Sequence, residues 1–181
     1  MKTFRQLVES KETIVFAFGR FNPPTTGHEK LIEACKKVAG SGEFRVYPSF
    51  SQNPKKDPLP HSLKVAYMRK MFKKYARNIK ADKSAKTAIM IAESLYKEGF
   101  KNLIMVAGSD RVAEFTKLLT TYNGQPDKKG NILYDFDSVK VVSAGERDPD
   151  AEGVTGMSAS KMRAAATENE FEAFKMGVPS G

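Results

Sequence analysis

Several features that would place this chain of 181 residues in a membrane, secreted or disulfide-stabilised class are missing from its sequence. The longest uninterrupted apolar run, residues 14–18, has the length of a strand, whereas a helix that spans a bilayer needs about 20 apolar residues. The first ten residues carry charges and no apolar block, which argues against a secretory signal. The single cysteine, Cys35, permits no internal disulfide, and its apolar helical position favours a core residue over a nucleophile. We therefore expect a cytoplasmic protein in a reducing compartment.

Common nucleotide-binding and metal-binding patterns are also missing. The sequence contains neither the P-loop pattern GxxxxGK[ST] nor the dinucleotide pattern GxGxxG, and it has no internal repeat. No cluster of side chains has the spacing of a metal site, so we expect no protein-bound metal. Any phosphate site in this chain must therefore be built in another way.

Basic residues are in excess, with a formal net charge of +9, which calls for polyanionic partners. Charge alone does not choose between nucleic acid, a membrane surface and phosphorylated small molecules. Much of the excess lies in a basic stretch between residues 55 and 86. For the later members of this stretch, a solvated helix face is as good an interpretation as a binding role. Lys55 and Lys56 fall in a predicted loop, where a functional role is favoured. The stretch comprises Lys55, Lys56, Lys64, Arg69, Lys70, Lys73, Lys74, Arg77, Lys80, Lys83 and Lys86.

Strand and helix patterns alternate along the chain. Strands are predicted at residues 14–18, 44–50, 102–107 and 138–143, the first and third of them of the buried type. Helices are predicted at residues 28–39, 61–75, 84–96, 114–119 and 158–166. The helix at 61–75 is predicted to bury Leu63, Ala66, Tyr67 and Met71, and residues 122–130 are predicted to form a mobile polar loop. This alternation predicts a doubly wound parallel α/β sheet in one domain, residues 12–166, with an N-terminal extension, 1–11, and a C-terminal tail, 167–181.

The loop after the first predicted strand, residues 19–28, has the composition of a phosphate-binding site. Gly19 and Gly27 allow the backbone to approach a ligand, Thr25 and Thr26 supply hydroxyls, and His28 stands at a helix start, where backbone amides favour an anion. A lone histidine at this position more often caps the helix. In open α/β sheets, however, ligands bind at the carboxyl ends of the strands, where this loop is placed.

The spacing of this loop resembles the first motif of the HxGH nucleotidyltransferase superfamily, GxFxPxHxGH. Gly19, Phe21, Pro23, Gly27 and His28 match that motif without a gap. Thr25 replaces the first histidine, as in the TxGH of the phosphopantetheine adenylyltransferase branch. A threonine can still hydrogen-bond a phosphate.

Three later segments resemble further motifs of the same superfamily, in the same order. Lys55, Lys56, Pro60, Val65 and Ala66 match the KKxxxP…RVA segment of nicotinamide-nucleotide adenylyltransferases, with Lys64 in place of the usual arginine. The GxDxxxxF motif is matched by Gly108, Asp110 and Phe115. The ISSTxIR motif is similar to residues 157–163, with Ala159 replacing the second serine. The alternative for Asp110 and for the serines of this last segment is helix capping.

The resemblance implies a Rossmann-like fold and a reaction in which an acceptor phosphate attacks the α-phosphorus of a nucleoside triphosphate. Mg²⁺ would arrive with the nucleotide. The implied catalytic residues are His28, Thr25, Lys55, Lys56 and Arg163, with the choice between the two lysines open. The implied nucleotide-binding residues are Gly19, Arg20, Phe21, Gly27, Gly108, Asp110, Ser158 and Ser160.

The acceptor is the open part of this interpretation. Two segments favour nicotinamide mononucleotide with ATP, whereas TxGH favours phosphopantetheine, and CTP as the donor stays open. We expect neither a nucleic-acid nor a membrane partner, and self-association is left open. The alternative of another class is an inactive basic module that binds nucleic acid or has a structural role.

Overall fold

A parallel sheet of four strands organises the residues that the structure describes, which are 3–8, 11–50 and 58–145 of a computed structural model. The strand order is β2-β1-β3-β4. All four strands lie where the sequence predicts them, with bounds that shift by at most two residues. They are β1 (Thr13–Gly19), β2 (Glu43–Pro48), β3 (Asn102–Ala107) and β4 (Ser138–Ser143).

Helices connect the strands and lie on both faces of the sheet. They are α1 (Phe4–Val8), α2 (Thr26–Ala39), α3 (His61–Met71), α4 (Ala88–Lys97) and α5 (Val112–Thr121), with 3-10 turns at Lys73–Asn78 and Ser109–Arg111. The helix predicted from residue 84 begins at Ala88, because Thr87 caps it by accepting a hydrogen bond from Met90 N at 3.2 Å. The helix predicted at residues 158–166 lies outside the described residues.

Strands β1 and β3 bury both of their faces. Along β1, Ile14 and Phe16 pack on the side of α4 and α5, while Val15 and Ala17 pack on the side of α2 and α3. Burial on both faces explains why these strands read as continuous apolar runs. The prediction of a doubly wound parallel sheet in a single α/β domain is therefore confirmed.

Cys35 lies in the core beneath α2, as predicted. The side chain is 0% exposed, and burial raises the pKa of the Cys35 thiol to about 12. A protonated, buried thiol is a poor nucleophile. The residue therefore acts as a small apolar side chain of the core.

The predicted apolar face of α3 is wrong. Leu63 and Tyr67 are 41% and 45% exposed, and the helix instead buries Lys64, Val65 and Met68. The sequence pattern fails here because the face turned to the core contains a lysine. The Nζ of Lys64 donates a hydrogen bond to the carbonyl oxygen of Ser49 at 2.8 Å, which satisfies part of the hydrogen-bonding requirement of a buried charge. Ala66 is exposed and Met71 is half-buried.

The later members of the basic stretch lie on the surface, as a solvated face requires. Arg69, Lys70, Lys73, Lys74, Arg77, Lys83 and Lys86 are exposed, and Lys80 is half-buried. Lys64 departs from this pattern because it faces the core.

Residues 122–130, predicted to be a mobile loop, are tied to the chain that precedes β4. Gly124 N donates to Tyr134 O at 2.9 Å. The Asn123 side chain donates through Nδ2 to Phe136 O at 3.1 Å and accepts at Oδ1 from Phe136 N at 2.7 Å. The partners lie about ten residues further along the chain, so a local pattern of turn residues does not predict these bonds.

Candidate active site

The sheet splits between β1 and β3 at its carboxyl end. The pairing of β1 with β3 stops at Phe16 and Met105, whereas β1 pairs with β2 as far as Gly19 and β3 pairs with β4 as far as Ala107. The strand order also reverses at this point, because the chain passes from β1 to β2 on one side and returns to β3 on the other. Such a switch point is where open α/β sheets form a ligand-binding crevice.

The first loop (residues 19–28) leaves β1 at one side of this crevice. Phe21 is 1% exposed and has a φ of 50°, a conformation that is uncommon for any residue except glycine. Its ring lies so close to Gly19 that a Cβ on that residue would meet Phe21 Cε2 at 3.2 Å. The Phe21 ring also packs against the imidazole of His28, with 4.7 Å between the ring centroids. The Phe21 ring therefore lies between Gly19 and His28 and packs against the imidazole.

His28 is held by the start of its own helix. Its Nδ1 accepts a hydrogen bond from the backbone N–H of Thr25 at 2.9 Å, and the Thr25 hydroxyl lies 3.1 Å from the same nitrogen. An Nδ1 that accepts from a backbone N–H carries no proton, so the neutral ring carries its proton on Nε2. His28 therefore caps its own helix, and the same hydrogen bond orients its Nε2–H as a donor.

Thr25 and Phe21 offer little side-chain surface to a ligand. Thr25 is 2% exposed, and its hydroxyl is directed to His28. Both side chains contact His28 instead, and their roles in ligand binding stay predictions. Arg20, which follows β1, is exposed.

Gly27 lies in the first turn of α2, where backbone amides lack acceptors within the helix. A Cβ at this residue would meet nothing nearer than the Thr25 hydroxyl at 3.6 Å, an ordinary contact. The fold therefore does not require glycine here.

We expect Gly27→Ala to keep or raise the melting temperature and to weaken ATP binding by about tenfold. Alanine stabilises a helix relative to glycine by up to roughly 1 kcal/mol. A methyl group on this turn would still hinder a phosphate from reaching the amides, and loss of one hydrogen bond to a charged group costs about 1.5 kcal/mol or more. Isothermal titration beside a melting curve measures both effects. Unchanged ATP affinity would show that no phosphate approaches this turn.

Gly108 and Asp110 lie across the crevice from the first loop, directly after β3. Asp110 is exposed, and its Oδ1 lies so close to Gly108 that a Cβ on that residue would meet it at 2.9 Å and displace the carboxylate. Neither the 3-10 turn nor α5 has a side-chain cap hydrogen bond. The capping alternative for Asp110 is therefore wrong, whereas Phe115 of the same motif packs against the core.

The segment that carries Lys55 and Lys56 lies outside the described residues, but both of its flanks are defined. On one side, Ser49 N donates to Gly19 O at 2.7 Å, and Lys64 Nζ donates to Ser49 O at 2.8 Å. On the other side, Asn22 binds the backbone of Leu59 through two hydrogen bonds of 3.2 Å. Asn22 and Ser49 have no predicted role, and Lys64 was predicted only as the replacement of a motif arginine. The position of Asn22 inside the first motif is a signal that could have drawn attention to it.

His61, the first residue of α3, is a second histidine near this edge that the sequence analysis used only as a helix boundary. Its ring packs edge-on against Phe50, with 4.9 Å between centroids, and its Nε2 is buried with no hydrogen-bond partner in the described structure. Burial is the main cause that lowers the pKa of His61, and the charge of Lys64 lowers it further. The ring therefore favours the neutral form.

The remaining predicted site residues lie outside the described residues, and their roles stay predictions. They are Lys55, Lys56, Ser158, Ser160 and Arg163. Within the described ranges, no group of three or more His, Cys, Asp or Glu side chains could hold a metal ion. No helix of those ranges has both the length and the apolar character needed to cross a membrane.

Comparison with known sequences gives one curated relative and no matching family profile. The relative is described as a probable nicotinate-nucleotide adenylyltransferase of Sulfurimonas denitrificans, and it is 33% identical over 111 residues. The match covers 57% of this chain and 59% of the relative. The match therefore spans less than two thirds of the curated relative.

Comparison with solved structures supports the fold over most of the chain. A nicotinic acid mononucleotide adenylyltransferase of Plasmodium falciparum in complex with NaAD has a TM-score of 0.60 at 16% identity, covering 92% of this chain and 90% of that one. A Vibrio parahaemolyticus protein, provisionally described as a nicotinate-nucleotide adenylyltransferase, has a TM-score of 0.54 at 16% identity, covering 87% and 88%.

The chain thus has the Rossmann-like α/β fold of these solved structures, with a crevice where β1 and β3 separate. The resemblance predicted from the four motifs is confirmed, because the sequence and structure comparisons both lead to nicotinate-nucleotide adenylyltransferases.

Proposed function

We propose that this protein transfers AMP from ATP to a pyridine mononucleotide and releases pyrophosphate. The observation that carries the proposal is the crevice between β1 and β3, with the start of α2 and His28 on one side and Asp110 on the other. Helix amides and an oriented Nε2–H suit phosphate oxygens. The Asp110 carboxylate suits hydroxyl groups, which are the donors of a ribose.

The chemistry needs no group of this chain to form a covalent bond. A phosphate oxygen of the acceptor attacks the α-phosphorus of ATP, the bond from that phosphorus to the bridging oxygen breaks, and pyrophosphate leaves with the bond electrons. Catalysis of such a step is alignment together with stabilisation of the charge on the phosphate oxygens. His28 and the amides of α2 would serve the reacting phosphate, and Lys55 or Lys56 with Arg163 would serve the leaving pyrophosphate. Mg²⁺ would enter as part of the nucleotide substrate.

The descriptions of the relatives bear on the choice of acceptor. Their descriptions name nicotinate nucleotide, whereas the lysine and GxD segments resemble nicotinamide-nucleotide enzymes. Both acceptors share the ribose and the phosphate, which are the groups that Asp110 and the first loop fit. We therefore propose a pyridine mononucleotide as the acceptor class, with nicotinate mononucleotide as the first candidate and nicotinamide mononucleotide as the second.

We expect pyrophosphate release from ATP and Mg²⁺ with at least one of the two pyridine mononucleotides. A coupled pyrophosphate assay over a panel of acceptors measures this, with phosphopantetheine and with CTP as the alternative donor in parallel. Release only with phosphopantetheine or only with CTP would contradict the proposed substrate and leave nucleotidyl transfer standing.

Binding to DNA and RNA, measured beside this panel, separates the enzyme from a basic module that binds nucleic acid. Binding through several backbone phosphates weakens steeply as the salt concentration rises. We expect only weak binding to DNA or RNA at physiological salt. Tight binding there, with no pyrophosphate release for any acceptor, would support the binding module instead.

A further inference from the structure

Lys64 is a fully buried basic side chain on α3. It is 0% exposed, and the same helix buries the apolar side chains of Val65 and Met68. Burial of a basic group in a core costs free energy unless its donors find acceptors, and an apolar residue of similar volume would avoid that cost. A lysine at this position therefore favours a role beyond packing.

The Nζ of Lys64 binds the backbone at the point where the chain leaves β2. It donates to the carbonyl oxygen of Ser49 at 2.8 Å, and the Ser49 hydroxyl lies 3.5 Å from the same nitrogen. Ser49 in turn donates through its backbone N–H to the carbonyl oxygen of Gly19 at 2.7 Å. This bond follows the last pair of the β1–β2 ladder, Gly19 and Pro48. Lys64 thus holds the residue that closes the ladder beside the first loop.

A series of close contacts continues from Gly19 to His28. The Phe21 ring lies against Gly19, where a Cβ would meet Phe21 Cε2 at 3.2 Å. The same ring packs against the His28 imidazole, with 4.7 Å between the centroids. Phe21 is fully buried, and closely packed interiors transmit small displacements. We therefore expect a shift of the backbone at Gly19 to reach His28 through the Phe21 ring.

We propose that Lys64 is a positioning residue, which holds Ser49 and the start of the first loop so that His28 stays aligned with the reacting phosphate. The inference rests on the proposed function. A displacement of about 1 Å can lower the rate of a step that depends on alignment by about 100-fold. Lys64 also replaces a motif arginine, and both side chains can donate to a backbone carbonyl.

Arg69 supplies a matched control on the same helix. Its guanidinium donates to the carbonyl oxygen of Ile79 through Nε at 3.2 Å and through Nη2 at 2.8 Å. Ile79 forms a bridge with Val46, which lies within β2 and not at its end. Arg69→Met therefore removes a basic side chain and its bonds to a backbone carbonyl without touching Ser49.

The kinetic experiment compares Lys64→Met and Lys64→Arg with Arg69→Met. Methionine keeps most of the packing volume of lysine and has no donor. We expect Lys64→Met to lower kcat by about tenfold to 100-fold, with KM for both substrates within about threefold of the wild type. Lys64→Arg retains a donor and should recover most of this loss, and Arg69→Met should keep the wild-type kcat.

Wild-type kcat in Lys64→Met, or a loss of the same size in Arg69→Met, would overturn the proposal. If Lys64→Met does not fold, Lys64→Gln takes its place, because its shorter side chain should weaken the bond to Ser49 while it remains polar.

A double-mutant cycle with His28 separates positioning from a general loss of stability. In a His28→Ala background no imidazole is left to align, so Lys64→Met should lower kcat there by less than about threefold. Equal losses in the two backgrounds would overturn the proposal, because Lys64 would then act independently of His28.

The imidazole proton resonances test the same contacts without any assay of activity. The chain has two histidines, so His61→Gln assigns the signals of His28. The Phe21 ring current shifts these signals, and we expect Lys64→Met to move them and Arg69→Met to leave them in place. Unchanged His28 resonances in Lys64→Met would overturn the proposal.

The resonances also separate this proposal from the proposed function. If the wild type releases no pyrophosphate with any acceptor, the proposed function fails and the link to the reacting phosphate fails with it. Moved His28 resonances in Lys64→Met would still support the positioning of His28 by Lys64.

Discussion

Replacement of His28 by alanine is expected to lower turnover by about two to three orders of magnitude, the usual cost of a lost donor to charge that develops in a transition state. The structure gives the reason, because Thr25 N occupies Nδ1 at 2.9 Å and so places the proton of the neutral ring on Nε2. The loss of the cap should cost about 0.5 to 2 kcal/mol of stability. Steady-state kinetics and a melting curve for the variant measure the two effects.

His28→Gln separates the two roles of this side chain. A glutamine three residues after the capping threonine can accept the Thr25 N–H, as in a capping box. We therefore expect His28→Gln to melt close to the wild type while losing most of its turnover. Near-normal turnover in either variant, with only a lowered melting temperature, would leave His28 with the capping role alone.

Asp110→Ala is expected to lower kcat/KM by roughly one to two orders of magnitude without loss of stability. A hydrogen bond between a charged group and a ligand is worth about 1.5 to 3 kcal/mol, which corresponds to that factor. The fold should tolerate the change, because Asp110 is exposed and caps neither the 3-10 turn nor α5. Kinetics with ATP and with the acceptor varied in turn would show which substrate the carboxylate binds.

Asp137→Ala is the control for Asp110→Ala. Asp137 is also an exposed aspartate, but it precedes β4 and so lies at the amino end of the parallel sheet, away from the crevice. We expect wild-type kinetics from it. Equal losses in the two variants would point to the general charge of the protein and would remove Asp110 from the site.

The fold was predictable to the extent that its signals are local. Strands β1 and β3 are buried on both faces and therefore appear as continuous apolar runs. A glycine ends β1, and another directly follows β3. The position of α3 in the sequence was predicted correctly, but the face that it buries was predicted wrongly. The burial of Lys64 depends on the carbonyl of Ser49, which a helical pattern does not contain.

The site was predictable where the motif itself carries the chemistry. The spacing of Gly19, Gly27 and His28 drew attention to the first loop, and the structure places that loop at the split in the sheet. The internal contacts were not predictable in the same way. The bonds of Asn22 to Leu59 and of Ser49 to Gly19 join residues about thirty or more positions apart, so their partners follow only from the fold.

The central claim, transfer of AMP, is tested most directly by following labelled phosphorus from ATP. With a pyridine mononucleotide acceptor, we predict that label in the α-phosphate enters the dinucleotide and that label in the γ-phosphate leaves in pyrophosphate. Label from the γ-phosphate in orthophosphate or on the acceptor, with none of the α-label in a dinucleotide, would contradict the account, because it would show hydrolysis or phosphoryl transfer instead.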